Sequence, residues 1–208
     1  MVALTLAAAA CDREKPERLP FYRSAEMTPE FLSAAKAAAK GVHRVGDFAL
    51  IDQDGKAVTQ DAFKGRVTLV HFFFAQCGDI CPTTTRNLAS ALDGIGSAPA
   101  AQVLSYSITP ERDSVPALRA FAAQHKLTDP RWRFLTGDRA TIERLARETF
   151  YVKVGDGSTY GVKSIAHTES VLLVDREGRL RGVYAASLPL EMVRAVEDAR
   201  TLLAAPGT

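Results

Sequence analysis

The chain has 208 residues, 47% of them hydrophobic and 24% charged, which is ordinary globular composition and enough length for one full hydrophobic core plus a terminal extension. A net charge of +2 spread over mixed-sign segments offers no basic face, so nucleic acid and acidic membrane surfaces are set aside as partners. Beyond the first residues, no run approaches the ~20 apolar residues that span a bilayer.

Residues 1–11 are a short apolar run that passes through four alanines to Cys11, and charged Asp12, Arg13, Glu14 and Lys15 follow at once. This resembles the end of a bacterial lipoprotein signal, and the resemblance implies that Cys11 is lipidated. A basic n-region is absent, and Ala8 stands where leucine is commonest. The expectation is a protein of the bacterial cell envelope, tethered to the membrane through a lipid anchor and facing the periplasm or exterior. Residues 12–27 are polar with Pro16 and Pro20, as in a linker, and Thr28, Pro29 and the Ala/Lys-rich run to Lys40 predict a spacer helix. Linker and helix together take residues 12–43, which leaves 44–208 for the main domain.

That domain opens on a predicted β-hairpin, 48–51 and 57–59, about the Asp54-Gly55 turn. Residues 67–74, rich in β-branched and aromatic side chains, read as a buried strand that breaks into Cys77, Gly78, Asp79, Ile80, Cys81 and Pro82. Pro82 suits the first position of a helix and disfavours helical geometry at Cys81, which places Cys81 at the N-cap. Leu88, Ala91, Leu92 and Ile95 repeat with helical period behind it. A thiolate at such an end faces free N–H groups and the positive end of the helix dipole, both of which lower its pKa. A strand that feeds two cysteines into a helix N-terminus is the usual arrangement of thioredoxin-like redox sites; the bland alternative is a structural thiol pair.

Further on, 102–108 reads as a strand ending in Thr109-Pro110-Glu111-Arg112-Asp113. Ser114 and Pro116 open a helix with Leu118, Phe121, Ala122 and His125 on one face. A short strand at 132–135 precedes a helix capped by Asp138, with Ile142, Leu145 and Ala146 inward. Residues 155–164 read as a Gly/Ser/Lys-rich mobile loop. Two strands, 170–174 and 180–184, flank the Asp175-Arg176-Glu177-Gly178 turn, and Ser187 and Pro189 open a last helix using Val193, Val196 and Leu203. The order predicts an α/β, thioredoxin-like fold: a mixed central sheet flanked by helices, with an N-terminal β-hairpin.

Of the four histidines, His71 and His125 read as packed or edge residues and His43 as exposed, whereas His167 stands where a loop enters a core strand. With Cys11 an anchor, Cys77 and Cys81 are the remaining thiols of an exported domain, which must be oxidised, reduced or metallated there.

A hydrophobic strand ending in C-x3-C-P, a Pro-Glu-Arg-Asp segment after the next strand and a late histidine before a Leu/Val-rich strand and an Asp-x-x-Gly turn together resemble the Sco/SenC family. The resemblance extends to Gly46-Asp47-Phe48 and Asp52-Gln53-Asp54-Gly55, so it covers roughly residues 44–204. It implies a thioredoxin-like copper protein of cytochrome oxidase assembly, in which Cys77, Cys81 and His167 bind one copper ion and Asp79 lies in its surroundings. The donor set agrees: thiolates favour Cu(I), and an imidazole lets the same site hold Cu(II). Three positions depart from the family pattern. Gly78 replaces a proline, Ala166 an aspartate beside the histidine, and Thr109 an aspartate before Pro110.

The leading expectation is a chaperone that passes copper to the copper-site subunit of a cytochrome oxidase, or to another copper acceptor. The alternative is a thiol-disulfide reductase, with Cys77 and Cys81 catalytic, that keeps the oxidase's copper-site cysteines reduced. A peroxiredoxin-like peroxidase would need a threonine where Phe74 stands. A non-catalytic lipoprotein module would leave Cys77, Cys81 and His167 without a use.

Overall fold

The Asp54-Gly55 turn forms the predicted hairpin, β1 (Ala49–Asp52) against β2 (Ala57–Thr59). The Asp52 carboxylate accepts from the amides of Asp54 and Lys56, each at 2.9 Å, and Gly55 sits at φ +77, where a side chain would strain the backbone. The computed structural model describes residues 18–76, 81–152 and 169–205. Among these, seven strands build one mixed sheet in the order β2-β1-β5-β4-β3-β6-β7. At its centre, β3 (Val67–Phe73) pairs in parallel with β4 (Ala101–Ser107), which pairs in parallel with β5 (Trp132–Thr136). On its other side β3 pairs antiparallel with β6 (Ser170–Val174), and β7 (Leu180–Ala185) completes that edge.

All seven residues of β3 are buried, so both faces of the sheet must be covered. Leu69, Phe73, Val103, Phe134, Val171 and Leu173 pack under three helices, α2 (Cys81–Ile95), α3 (Val115–Gln124) and α5 (Pro189–Ala204). The alternate residues, among them Val70, Phe72, Leu104, Tyr106, Leu135 and Leu172, pack against the hairpin and α4 (Arg139–Arg144), which runs on into a π-helical turn, Leu145–Thr149. Strand alternation thus sorts the core into two layers, giving the predicted mixed sheet with helices on both faces.

Three expectations are corrected. The N-terminal helix α1 (Ala34–Ala39) begins after Ser33, not at Thr28, because Glu30 is held in extended backbone that pairs with Phe21. Its carboxylate is fixed by Arg23 at 2.7 Å and Lys40 at 3.2 Å. Of the expected α5 face, Val196 and Leu203 do pack against the core, but Val193 is 52% exposed and the buried stripe is Met192, Ala195, Ala199 and Leu202. The α2 and α5 helices approach closely there, a Cβ at Gly94 falling 3.4 Å from the Val196 side chain. His43, expected in solvent, is half-buried with its ring 5.7 Å from that of Tyr151, and burial lowers its pKa.

Candidate metal centre

The core delivers the chain to the thiols through β3, whose last residue, Phe73, is held between Phe121 and Phe134 with ring centroids 5.3 and 5.4 Å away. Beyond it, the structure fixes the start of the thiol loop by one carboxylate. Asp113, 1% exposed, accepts from the Ala75 amide at 3.1 Å, the Ser107 hydroxyl at 2.6 Å and the Thr109 hydroxyl at 3.0 Å, all on Oδ2. Ser107 Oγ in turn accepts from the Thr109 amide at 3.1 Å, and the Ile108 amide donates to the Phe73 carbonyl at 2.8 Å. The Thr109-to-Asp113 segment therefore closes over the end of β3 and holds Ala75, two residues before Cys77. The departure at Thr109 has a local sense: its hydroxyl donates to Asp113, whereas an ionised aspartate there would add a second negative charge. Glu111 joins the same loop to α4, accepting from Arg139 Nη2 at 2.6 Å; that bond holds the Glu111 carboxyl below the usual range.

Cys81 is the first residue of α2, with Pro82 next, so the helix begins within one position of where Pro82 predicts. The side chain of Cys81 and the whole of Cys11, Cys77, Gly78, Asp79, Ala166, His167 and the 155–164 loop lie outside the described residues. The flanks of these segments are defined. The β3–β6 register pairs His71 with Val171 and Thr68 with Val174, so the C-terminal end of β3 and the N-terminal end of β6 lie side by side. One leads toward Cys77 and the other comes from His167. At the start of β6, Glu169 accepts the Ala186 amide on its carbonyl at 2.5 Å and the Ser187 hydroxyl on its carboxylate. Asn87 of α2 donates to the Ala186 carbonyl at 2.8 Å.

The other histidines fall outside this arrangement. His71 is buried within β3 and stacked near Phe73, and burial pushes its pKa down to about 4; His125 packs its ring 4.4 Å from Phe121 at the end of α3. Among the described residues, no group of three His, Cys, Asp or Glu side chains is placed to hold a metal ion. Sequence reasoning missed the acceptor role of Asp113, although a threonine and an aspartate four apart about Pro110 are a turn signal. Nothing local to Asn87, Glu169 or Ser187 could have marked them.

A mixed sheet covered on both faces, whose central strand is followed by a helix that starts at Cys81, defines a thioredoxin-like protein. The sequence model of the SCO1/SenC family matches residues 36–202, and the chain belongs to that family. It is 31% identical to the SCO1 protein homolog of Bacillus subtilis strain 168 over 140 residues, 66% of this chain and 72% of that one. Among solved structures it resembles BsSco, a member of the Sco family of cytochrome c oxidase assembly proteins with an identified disulfide switch. There the TM-score is 0.66 at 29% identity, covering 77% of this chain and 95% of that one. Bradyrhizobium japonicum ScoI with copper bound superposes with a TM-score of 0.60 at 29% identity, covering 75% of this chain and 99% of that one.

Proposed function

We propose that this chain is a copper chaperone that holds copper on Cys77, Cys81 and His167 and passes it by ligand exchange to a copper site of a cytochrome oxidase. The observation that carries the reading is the antiparallel pairing of β3 and β6, which brings the flanks of the thiol and histidine segments to one end of the sheet. Two soft thiolates and one imidazole suit copper in either oxidation state. Cys81 at the start of α2 adds the electrostatic setting that favours a thiolate. Membership of a family with a copper-bound relative and an oxidase-assembly relative supports the cargo and the recipient. Lipidation at Cys11 would hold the domain at the membrane surface where such an oxidase resides.

The test is copper titration of the chain beside Cys77→Ser, Cys81→Ser and His167→Ala. Each substitution is expected to weaken binding by at least about tenfold, and unchanged stoichiometry and affinity in all three would end this reading.

A reductase role is favoured by Gly78 and Ala166, which remove the usual surroundings of the copper ligands, and by the disulfide switch of BsSco. In that role one thiolate attacks an acceptor disulfide to give a mixed disulfide, and the second thiolate resolves it. The acceptor leaves as a dithiol, and Cys77 and Cys81 are left oxidised to a disulfide. Trapping of the mixed disulfide by a single-cysteine variant is the expected result of that reading; its absence with every oxidised acceptor offered would exclude it.

A further inference from the structure

One polar chain links the thiol helix to the histidine strand, and neither role above uses it. Asn87 lies six residues beyond Cys81, about 9 Å of helix rise. Its Nδ2 donates to the Ala186 carbonyl at 2.8 Å, and the amide of the same fully buried residue donates to the Glu169 carbonyl at 2.5 Å. The Ser187 hydroxyl closes the chain on the Glu169 carboxylate. Glu169 stands two residues after His167. The β7–α5 turn is thus a strap with the Cys81 helix on one side and the strand that follows His167 on the other.

The apolar contacts of α2, through Leu88, Ala91 and Leu92, seat the helix on the sheet, and the Arg200 guanidinium donates to the Gly94 carbonyl near its far end. Toward the thiol end, the Asn87 bond ties one helix position to one carbonyl of the β7–α5 turn. We infer that Asn87, acting with the Glu169–Ser187 pair, is a positioning residue of the copper site: it fixes how far the helix that starts at Cys81 stands from the start of β6. This inference rests on the proposed copper role. Asn87 acts through Cys81 and His167 and is not itself a ligand.

The experiment uses the full chain and its Asn87→Leu, Asn87→Gln, Ser187→Ala and His167→Ala variants, and the Asn87→Leu/His167→Ala double variant. Cu(II) affinity is read by competition titration, and ligation by the sulfur-to-copper charge-transfer absorption. Asn87→Leu, similar in size but without the donor, is expected to bind copper about tenfold more weakly, with a shifted absorption. Asn87→Gln recovers most of the loss, and Ser187→Ala shows a smaller loss of the same kind. Added to His167→Ala, the Asn87 substitution has little further effect, because the spacing that it sets matters only while His167 is a ligand. Wild-type affinity and absorption in both Asn87→Leu and Ser187→Ala, or an Asn87 effect that adds fully to that of His167, would overturn the inference and leave the copper role standing. A wild-type chain that binds copper no better than His167→Ala would overturn both.

Discussion

At the scale of single residues, Asp113 has the most to hold. Three donors converge on one buried oxygen, and removing the carboxylate leaves the Ala75 amide and two hydroxyls without their acceptor. With about 1–3 kcal/mol for a buried group left unsatisfied, Asp113→Ala is expected to cost ~3 kcal/mol in denaturant unfolding. Asp113→Asn, which keeps an acceptor oxygen, should lose only about half of that. His71 gives a prediction in pH. Its folded pKa is depressed by burial from 6.5 to about 4, so above pH 6.5 it is neutral in both the folded and unfolded chain and costs nothing. As pH falls below 6.5 the unfolded chain takes up a proton that folded His71 refuses. Stability therefore drops through the window from 6.5 to about 4, by up to ~3 kcal/mol from this residue. His71→Leu should show a correspondingly flatter loss than wild type between pH 7 and pH 4.5 in parallel unfolding curves; equal slopes would refute the assignment.

At the scale of elements, the segment ahead of the sheet is bound to the fold at named points. Phe21 is fully buried with Leu32, Ala37 and Val42, and the Arg181 guanidinium lies 3.9 Å over its ring. That guanidinium also donates to the Pro20 carbonyl at 2.9 Å, to that of Leu19 at 2.8 Å and to Asp175 at 3.0 Å. Phe21→Ala is accordingly expected to destabilise the chain by about 3–5 kcal/mol, measured by chemical unfolding, whereas a change below ~1 kcal/mol would mean that the segment merely rests on the surface. None of this packing was legible in the sequence. The segment's polar residues and prolines read as a linker, and what orders it is a buried arginine some 160 residues away. The α5 face was legible only in part: Val196 and Leu203 do pack against the core, but periodicity favours large apolar residues and passes over Ala195 and Ala199, which are fully buried. By contrast, the hairpin, β3 and the start of α2 were legible, because Asp54-Gly55, an unbroken apolar run and Pro82 each constrain the backbone locally.

At the scale of the whole molecule, the thiol half of the candidate centre could be read from one contiguous stretch, while its pairing with the histidine half could not be derived from periodicity or turn chemistry. Roughly ninety residues separate Cys77 from His167, and only the sheet order, in which β6 crosses back to lie beside β3, makes their flanks neighbours. The resemblance to a family supplied that link in advance, and the β3–β6 register supplies the physical reason for it. The strap through Asn87 belongs to this scale too, since it joins residues from three parts of the chain.

The central claim is that two sulfurs and one imidazole of this chain share a copper ion, and X-ray absorption at the copper edge reads those ligands directly. Copper-loaded wild type is expected to show two sulfur neighbours and an imidazole nitrogen. One sulfur should be lost in Cys77→Ser and in Cys81→Ser, and the imidazole scattering in His167→Ala. A copper environment of oxygen and nitrogen alone, or one unchanged by all three substitutions, would contradict the account.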